Sequence, residues 1–476
     1  MTTRVSAATV VVVAFFAAAL LPRATWPLID PDVWWHIRAG EAILTSGGVP
    51  HVDSWSLTAF GQPWTSQDWL SNVLMALLYR LGPWGDTLLS LIAAALTVGA
   101  FVILWQACNI RRPQIGWLSR VTWFSAGLLL AGPVLGVRVQ VLDLLFAAIV
   151  IWLLWSFLGD RRRIWPALLV PVALLWVNLH AGFPLLFLFG GAVVIGEAGE
   201  KWLRRTLEPM PLAWSDLAWL AAMLVLSAAA LVVNPNGVAI YAYPFNTLGL
   251  GALATYVGEW QPARLTNLFG WLLLGFTVLG TIPTLLLAFR RLRLADAFIL
   301  LGLTIMAVSA VRFLLFLGPI GAAIIAINLG PALSDTRFGQ QTSGLLRRMA
   351  EPRRGRPGTV NAVVLVVLLA LGAALTLGRS LPASQADEIA REFPVDATVW
   401  LRQNAPEARV FNLYEWGGYL GLEVPTLRIF VDGRADVYGD AVIRRYVSVI
   451  GLDSDPQATF DAYGVDHVVM PRDSAL

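Results

Sequence analysis

The chain has 476 residues, of which 57% are hydrophobic and 14% charged, and its mean hydropathy is +0.67. This composition excludes a soluble globular protein and leaves room for about ten or more membrane spans of roughly 20 residues. The net charge of +3 says little by itself, and no nucleic-acid partner is expected. A single cysteine, Cys108, excludes an intramolecular disulfide and a cysteine-based metal cage.

Eleven apolar runs predict helices that cross a membrane. The runs lie at about 5–28, 84–107, 118–136, 140–158, 165–180, 182–199, 214–233, 267–289, 294–310, 312–329 and 359–378. The first run continues to Ile29, which favours an uncleaved span over a cleaved signal peptide. The expected fold class is therefore a polytopic α-helical membrane protein with about 11 transmembrane helices.

The distribution of arginine predicts the orientation of these spans. If the N-terminus is cytoplasmic, the arginine-rich segments fall on the inner side and the outer loops hold few basic residues. These inner segments are 108–120, 159–164, 200–213, 290–293 and 330–358. The positive-inside rule then gives a cytoplasmic N-terminus and an external C-terminus, in the cytoplasmic membrane of a bacterium.

Two regions outside the spans carry structure of their own. Residues 29–83 form a long first extracytoplasmic loop, in which "HIRAGEAIL" predicts an amphipathic helix on the membrane surface. A second helix, "SQDWLSNVLMALLYRL", has Ser66 as its candidate N-cap and Asp68 in its first turn. The sequence thus predicts a transmembrane domain over 1–379 that includes this loop.

The composition changes at about residue 380 to that of a soluble protein. "ARVFNL", "LRIFVDG" and "VDHVVMP" predict short strands, and "DPQATFDAYG" predicts a helix between the last two. Residues 380–476 are therefore expected to form a small extracytoplasmic α/β domain. Its turn-rich stretch "FVDGRADVYGD", with Asp432, Arg434 and Asp436, either faces the site or caps a strand.

Polar and ionisable groups at membrane depth are costly, so their positions indicate function. Under the predicted topology they fall on five outer turns. They are Asp30, Asp32 and His36 after the first span, then Arg138, then Asn178 and His180, then Asn234 and Glu259, and then Arg312. The sequence therefore predicts one polar cavity that opens at the external face.

The residue types in this cavity point to sugar transfer. Two carboxylates one residue apart can divide the work, one as general base and the other as metal ligand or support. Arginines bind phosphate with two hydrogen bonds, and tryptophans such as Trp34 and Trp35 stack on a sugar or lie at the bilayer surface. Simpler roles stay open: a helix cap for the carboxylates, a structural hydrogen bond for His180, and interfacial anchoring for Arg138 and Arg312.

Two motifs resemble those of known enzymes. "DPDVWWH", Asp30 to His36, resembles the first-loop acidic motif of the GT-C superfamily of membrane glycosyltransferases, which implies that Asp30 or Asp32 is the catalytic base. "YEWGGYL", Tyr414 to Leu420, looks like the aromatic–acidic–glycine signature of oligosaccharyltransferase catalytic subunits. That likeness implies acceptor recognition by Glu415 and Trp416, although it does not imply protein N-glycosylation.

The resemblance implies a donor and a set of site residues. Donors of this superfamily are polyprenyl-phosphate or polyprenyl-diphosphate sugars. The substrate-binding residues expected here are Trp34, Trp35, His36, Arg138, Asn178, His180, Asn234, Glu259, Arg312, Glu415 and Trp416. Metal dependence stays open: Asp30 and Asp32 are the expected ligands of Mg²⁺ or Mn²⁺, while a metal-independent enzyme is slightly favoured.

The main hypothesis is an inverting hexosyl- or pentosyltransferase at the outer membrane face. It takes a sugar from a polyprenyl-phosphate donor in the lipid bilayer and modifies a cell-envelope acceptor, which is a glycan, lipid or protein. A transporter or flippase for lipid-linked sugars is the main alternative. Such a protein shows midplane charges, broken helices and pseudo-symmetric halves. A non-catalytic envelope-assembly protein is the third hypothesis, and it leaves the outer carboxylates and arginines without a role.

Overall fold

The computed structural model describes residues 7–113, 115–205, 207, 209–334 and 358–476. Several arginines that support the predicted orientation lie outside the described residues. They are Arg4, Arg337, Arg347, Arg348, Arg353, Arg354 and Arg356.

Helices make up most of the described chain. In chain order they are α1 (Ala7–Ala24), α2 (Asp32–Ser46), α3 (Trp69–Tyr79), α4 (Pro83–Arg111), α5 (Trp117–Ala131), α6 (Gln140–Asp160), α7 (Ile164–Leu179), α8 (Pro184–Trp202), α9 (Trp214–Ala230), α10 (Tyr243–Leu248), α11 (Gly251–Tyr256), α12 (Leu268–Leu287), α13 (Leu294–Ser309), α14 (Val311–Leu333), α15 (Gly358–Ser380), α16 (Pro382–Glu392), α17 (Val395–Asn404), α18 (Gly417–Glu423), α19 (Ala435–Ile450) and α20 (Pro456–Tyr463). Each predicted apolar run overlaps one of these helices.

Helix length decides which elements are able to cross a bilayer, because a span needs about 20 residues. Within the described ranges, α1, α4, α6, α12, α14 and α15 are long and apolar enough, and α3, α7, α9 and α13 are shorter apolar helices. These are the features of a multi-pass helical membrane protein. The number of crossings and their orientation remain predictions.

The C-terminal segment carries a three-stranded parallel sheet. Strand β1 (Arg409–Asn412) lies between β2 (Arg428–Ile429) and β3 (His467–Val469). Parallel strands need crossover connections, and α18 supplies the first while α19 and α20 supply the second. The three strands and α20 lie where the sequence predicts them. The division of the chain into domains at residue 380 remains a prediction.

The loop over residues 29–83 packs against this sheet. Trp55 and Trp64 of the loop share one hydrophobic core with Val410 and Phe430 of the C-terminal segment. The Leu57 amide donates a hydrogen bond to the Ile429 carbonyl at 2.6 Å, so the loop continues the edge of the sheet. Two regions that are more than 300 residues apart in sequence therefore form one surface.

A buried arginine reinforces this junction. Arg434 is 1% exposed, and its guanidinium pairs with Asp53 of the loop and with Asp432, each at 2.8 Å. The same guanidinium lies 4.0 Å from the ring centre of Trp55. Charges buried this deeply persist only when each one is paired and hydrogen-bonded. Asp432 and Arg434 thus hold the loop to the C-terminal segment.

Two predictions about the loop helices are wrong. Helix α2 does not lie on the surface, because His36, Ile37 and Ala39 are buried between its neighbours. Helix α3 is capped two positions later than expected: its first hydrogen bond runs from Asn72 N–H to the Asp68 carbonyl, so Asp68 is the N-cap residue. Ser66 therefore does not cap this helix, and Asp68 precedes its first turn.

Candidate active site

A cavity of about 570 Å³ lies where the first loop, the ends of several helices and the C-terminal segment meet. The residues around it come from nine separate stretches of the chain. Nine predicted site residues line it: Asp30, Asp32, Trp35, His36, Arg138, His180, Glu259, Arg312 and Glu415. The fold therefore brings at least one residue from each of the five predicted turns to one place.

Two predicted aromatic residues do not line this cavity. Trp34 is 1% exposed and packs edge to face against Phe393 and Tyr419. Trp416 donates its indole N–H to the Glu392 carbonyl at 2.8 Å. Successive residues of a helix point about 100° apart, so Trp34 faces the core while Trp35 faces the cavity. Both therefore act in packing.

Two predicted asparagines also lie elsewhere. Asn178 and Asn234 line a separate groove together with Trp69. The Asn178 side chain accepts a hydrogen bond from Trp69 Nε1 at 2.9 Å and donates one to the Val233 carbonyl at 2.9 Å. These bonds join α7 to the segment after α9. The sequence placed both asparagines near predicted outer turns, but that placement did not determine which groove they line.

The two carboxylates of "DPDVWWH" have different partners. Arg138 Nε lies 2.7 Å from Asp30 Oδ2, and the Asp32 amide donates to Asp30 Oδ1 at 3.0 Å. Asp32 begins α2 and accepts a hydrogen bond from Trp35 Nε1 at 3.1 Å, one helical turn later. Asp30 is thus held by a cation, while Asp32 is held by a neutral donor.

This difference sets their protonation. Burial, followed by repulsion from Asp30, raises the pKa of Asp32 to about 8. Burial also raises the pKa of Asp30, although Arg138 opposes that shift. At neutral pH the pair therefore retains a proton on Asp32, and small changes in the surroundings move that proton.

A chain of opposite charges extends from these carboxylates. Arg138 pairs with Glu259 as well as with Asp30, and Glu259 in turn lies 3.6 Å from Arg312 Nη1. Burial alone would raise the pKa of Glu259, but Arg138 and Arg312 outweigh it and lower that pKa. The Arg312 guanidinium lies 4.1 Å from the ring centre of Trp260. Arg312 ends this chain and has the loosest ion pair in it.

A carboxylate–imidazole pair forms a second group, and the sequence analysis missed its acid. Asp143 Oδ2 lies 2.5 Å from His180 Nδ1, and Trp176 Nε1 donates to Asp143 Oδ1 at 2.7 Å. Burial lowers the pKa of His180, but Asp143 outweighs burial, and the resulting pKa is raised. The Asp143 carboxylate therefore favours the imidazolium form of His180. The available signal was an acid within the apolar run "QVLDLLF".

Two glycines allow this close packing. A β-carbon on Gly433 would overlap Asp32 Oδ1 and come within 2.8 Å of Trp35 Nε1, and one on Gly182 would overlap the Asp143 carboxylate. The backbone of the C-terminal segment thus lies directly against the first-loop acid. Only residues without a side chain fit at these two positions.

Further polar residues complete the lining, and local sequence patterns did not single them out as a group. They are Gln67, Asp68, Gln140, Asp143, Tyr243, Tyr414 and Asp436. The stretch "FVDGRADVYGD" was expected either to face the site or to cap a strand. Asp436 lines the cavity, whereas its neighbours Asp432 and Arg434 do not. Burial raises the pKa of Asp436 to about 6.

The first-loop carboxylates do not fit a metal site as they are arranged. Arg138 and the Asp32 amide occupy Asp30, and Trp35 donates to Asp32. Across the part of the chain that the structure describes, no three His, Cys, Asp or Glu side chains converge in a way that suits a metal ion. Divalent metals in carboxylate sites need several oxygen ligands free of such donors.

Comparison with known proteins identifies the fold. No protein-family model and no curated protein sequence matches this chain. The apo oligosaccharyltransferase of Archaeoglobus fulgidus is similar over 96% of this chain and 68% of its own, with a TM-score of 0.55 and 13% identity. The same protein in complex with Zn and sulfate gives a TM-score of 0.51 and 15% identity over 98% and 68%.

ArnT from Cupriavidus metallidurans in the apo state is similar over 94% of this chain and 88% of its own, with a TM-score of 0.47 and 14% identity. At such identities, the likeness to the oligosaccharyltransferase shows the fold. The resemblance to GT-C glycosyltransferases that "DPDVWWH" predicts is thus confirmed at the level of the fold.

Proposed function

We propose that this protein is an inverting membrane glycosyltransferase that moves a hexose or pentose from a polyprenyl-phosphate-linked donor to a cell-envelope acceptor. The observation that carries the proposal is the cavity itself. Asp30 and Asp32 lie at one end of the charge chain formed by Arg138, Glu259 and Arg312, within a fold shared with a glycosyltransferase.

Asp32 is the proposed general base. Asp30 is engaged by Arg138, whereas no lysine or arginine among the described residues lies within 4.0 Å of the Asp32 carboxylate. Asp32 therefore accepts the proton of the acceptor hydroxyl as the hydroxyl oxygen attacks the anomeric carbon. The bond from that carbon to the donor phosphate breaks, and its electron pair leaves with the phosphate. One displacement of this kind inverts the anomeric centre.

Arg312 and His180 are the proposed phosphate ligands. Both line the cavity, and among the described residues the ion pairing of Arg312 is limited to Glu259, at 3.6 Å. His180 uses Nδ1 for Asp143, so a protonated ring has its other N–H available for an anion. Two cations at the departing phosphate stabilise the charge that develops there in the transition state. Glu259 keeps Arg138 and Arg312 in place.

The proposed orientation places this cavity outside the cytoplasmic membrane of a bacterium. Arginine-rich loops at 159–164 and 290–293 then lie in the cytoplasm, as the positive-inside rule requires. Residues 29–83 and 380–476 lie together outside and cover the site. In this mechanism no step passes through a metal ion, because donors already engage Asp30 and Asp32.

The decisive experiment compares envelope glycans of cells that carry the wild-type gene, no gene, or the Asp32→Asn variant. Mass spectrometry is expected to detect a sugar addition that disappears in the gene deletion and in Asp32→Asn. Asp387→Asn, which changes an exposed acid on α16, is the matched control and retains the addition. Full product formation by Asp32→Asn would overturn the base assignment. Movement of a lipid-linked sugar between leaflets without any product would instead favour the transporter.

A further inference from the structure

A second groove, of about 430 Å³, lies at the far end of α8 from the cavity. Helix α8 begins at Pro184, which lines the cavity, and ends at Trp202, which lines the groove. Its 19 residues rise about 28 Å, which is close to the thickness of the hydrocarbon core of a bilayer. The groove is therefore separate from the cavity, and the proposed reaction does not use it.

Basic residues dominate the polar lining of the groove. Lys201, Arg204 and Arg205 line it together with one acid, Glu200. This acid is already engaged, because Arg205 Nη1 lies 3.1 Å from Glu200 Oε1 and the Leu294 amide donates to the same oxygen at 2.7 Å. Three cations against one acid leave two positive charges without a counter-charge.

These two charges belong to Lys201 and Arg204. Among the residues that the structure describes, neither side chain forms an ion pair, and Lys201 Nζ lies 5.3 Å from the ring centre of Trp214 instead. At the same end of the helices, by contrast, Arg293 pairs with Glu197. The positive-inside rule requires basic residues on one side of the membrane, but it does not require that they line a groove without partners.

Apolar side chains place this groove at a membrane surface. Trp202, Met210 and Trp214 line it and are 82%, 77% and 64% exposed. An exposed cluster of large apolar side chains marks a surface that contacts a partner or a membrane, and tryptophan is enriched where a bilayer meets water. Lys201 and Arg204, in the same groove, therefore lie at the level of the lipid headgroups.

We propose that this groove binds the headgroup of an anionic phospholipid. The phosphate accepts hydrogen bonds from Lys201 and Arg204, while Trp202 and Trp214 pack beside the glycerol and the first carbons of the acyl chains. Charge complementarity favours this occupant, because a zwitterionic lipid carries its own ammonium and gains less from two uncompensated cations. In the proposed orientation the groove faces the cytoplasmic leaflet, opposite the cavity.

The only lysine of the chain, Lys201, makes occupancy of the groove measurable. Acetic anhydride modifies its amine, and peptide mass spectrometry gives the fraction that is acetylated after a short exposure. The purified full chain in a neutral detergent is titrated with phosphatidylglycerol, or with phosphatidylcholine that has the same acyl chains. We expect the half-protecting concentration to be about tenfold lower for phosphatidylglycerol, because each cation beside an anionic headgroup contributes about fivefold.

Two variants distinguish the groove from the charge of the surface as a whole. Arg204→Gln is expected to raise the half-protecting concentration of phosphatidylglycerol about fivefold. Arg162→Gln, which removes an exposed charge at the same end of the helices but outside the groove, is expected to leave it unchanged. An equal effect of the two variants would overturn the proposal and indicate attraction by the whole surface.

Two results with the wild-type chain would overturn the proposal without any variant. Equal protection by the two lipids would show that the groove does not recognise the charge of a headgroup. Protection by inorganic phosphate as strong as that by phosphatidylglycerol would show a site for a free anion. Protection of Lys201 does not depend on sugar transfer, so the outcomes for the lipid groove and for Asp32→Asn are independent.

Discussion

Gly433 of the C-terminal segment packs so closely on Asp32 of the first loop that a β-carbon at Gly433 would overlap Asp32 Oδ1. Residues 401 positions apart thus share one van der Waals surface. Arg434, the next residue, is anchored to Asp53 of the same loop at 2.8 Å. The C-terminal segment therefore fixes the position of the proposed base directly.

Gly433→Ala is expected to reduce sugar transfer by about 10² while the protein remains folded, because a displacement of about 1 Å at a reacting group has that effect. The measurement is kcat together with the melting temperature of the purified protein. Gly302→Ala, where an added β-carbon meets nothing within 4 Å, is the matched control. Unchanged kcat in Gly433→Ala would show that the close packing of Gly433 on Asp32 does not position the Asp32 carboxylate.

The rate of transfer is expected to rise with pH and level off above about 8. A general base works in its ionised form, and burial with repulsion from Asp30 raises the pKa of Asp32 to about 8. Below that pKa the rate falls up to tenfold for each pH unit. A pH profile of kcat/KM tests this, and a flat profile between pH 6 and 8 would rule out Asp32 as the base.

The same shift predicts a pH-dependent effect on stability. A carboxyl whose folded pKa lies above its unfolded value contributes stability at low pH, and that stability is lost as pH rises through the folded pKa, about 8 for Asp32. Asp32→Asn should therefore melt a few degrees higher than the wild type at pH 9, and this advantage should disappear at pH 5. A difference that is independent of pH would contradict the raised pKa.

Asp143→Asn and His180→Gln are each expected to raise the donor KM about tenfold or more. Asp143 keeps His180 charged at a distance of 2.5 Å, so loss of either one removes the same cation. The double variant should then be little worse than either single variant, because the two residues act as one unit. Additive effects of the two changes in steady-state kinetics, or an effect on kcat alone, would show that Asp143 and His180 do not act as one unit in donor binding.

Treatment with a chelator is expected to leave sugar transfer largely intact. Arg138, Trp35 and a backbone amide engage the oxygens of Asp30 and Asp32 that a metal would need. The measurement is initial rate after EDTA and again after Mg²⁺ or Mn²⁺ is restored. Complete loss of sugar transfer with EDTA and full recovery with either ion would contradict this prediction, because a metal could bind these carboxylates only if their present donors moved away.

Arg434→Met is expected to lower the free energy of unfolding by about 3–5 kcal/mol, since it leaves Asp53 and Asp432 buried without a counter-charge. Arg391→Met, which changes an exposed arginine, is expected to have an effect near zero. Thermal unfolding of both variants in the same detergent is the measurement. Equal stability of the two would show that the junction does not depend on Arg434.

Six of the residues that line the cavity were predicted from the sequence alone. Asp30, Asp32, Arg138, His180, Glu259 and Arg312 are polar groups at the ends of apolar runs, where the cost of burial makes them conspicuous. All six line the cavity. Asn178 and Asn234 have the same sequence signal but line another groove, because that signal gives depth along a helix and not direction around it.

The amino-acid sequence by itself determined the helical membrane class, the position of the apolar runs and the GT-C resemblance, since apolarity and short motifs are local properties of the chain. The tertiary structure alone decided that Gly433 packs on Asp32, that Asp143 supports His180 and that Asp68 lies 3.1 Å from His36. Each of these depends on which side chains from distant segments meet. That outcome follows from packing the first loop, the helix ends and the C-terminal sheet together, and no local pattern specifies it.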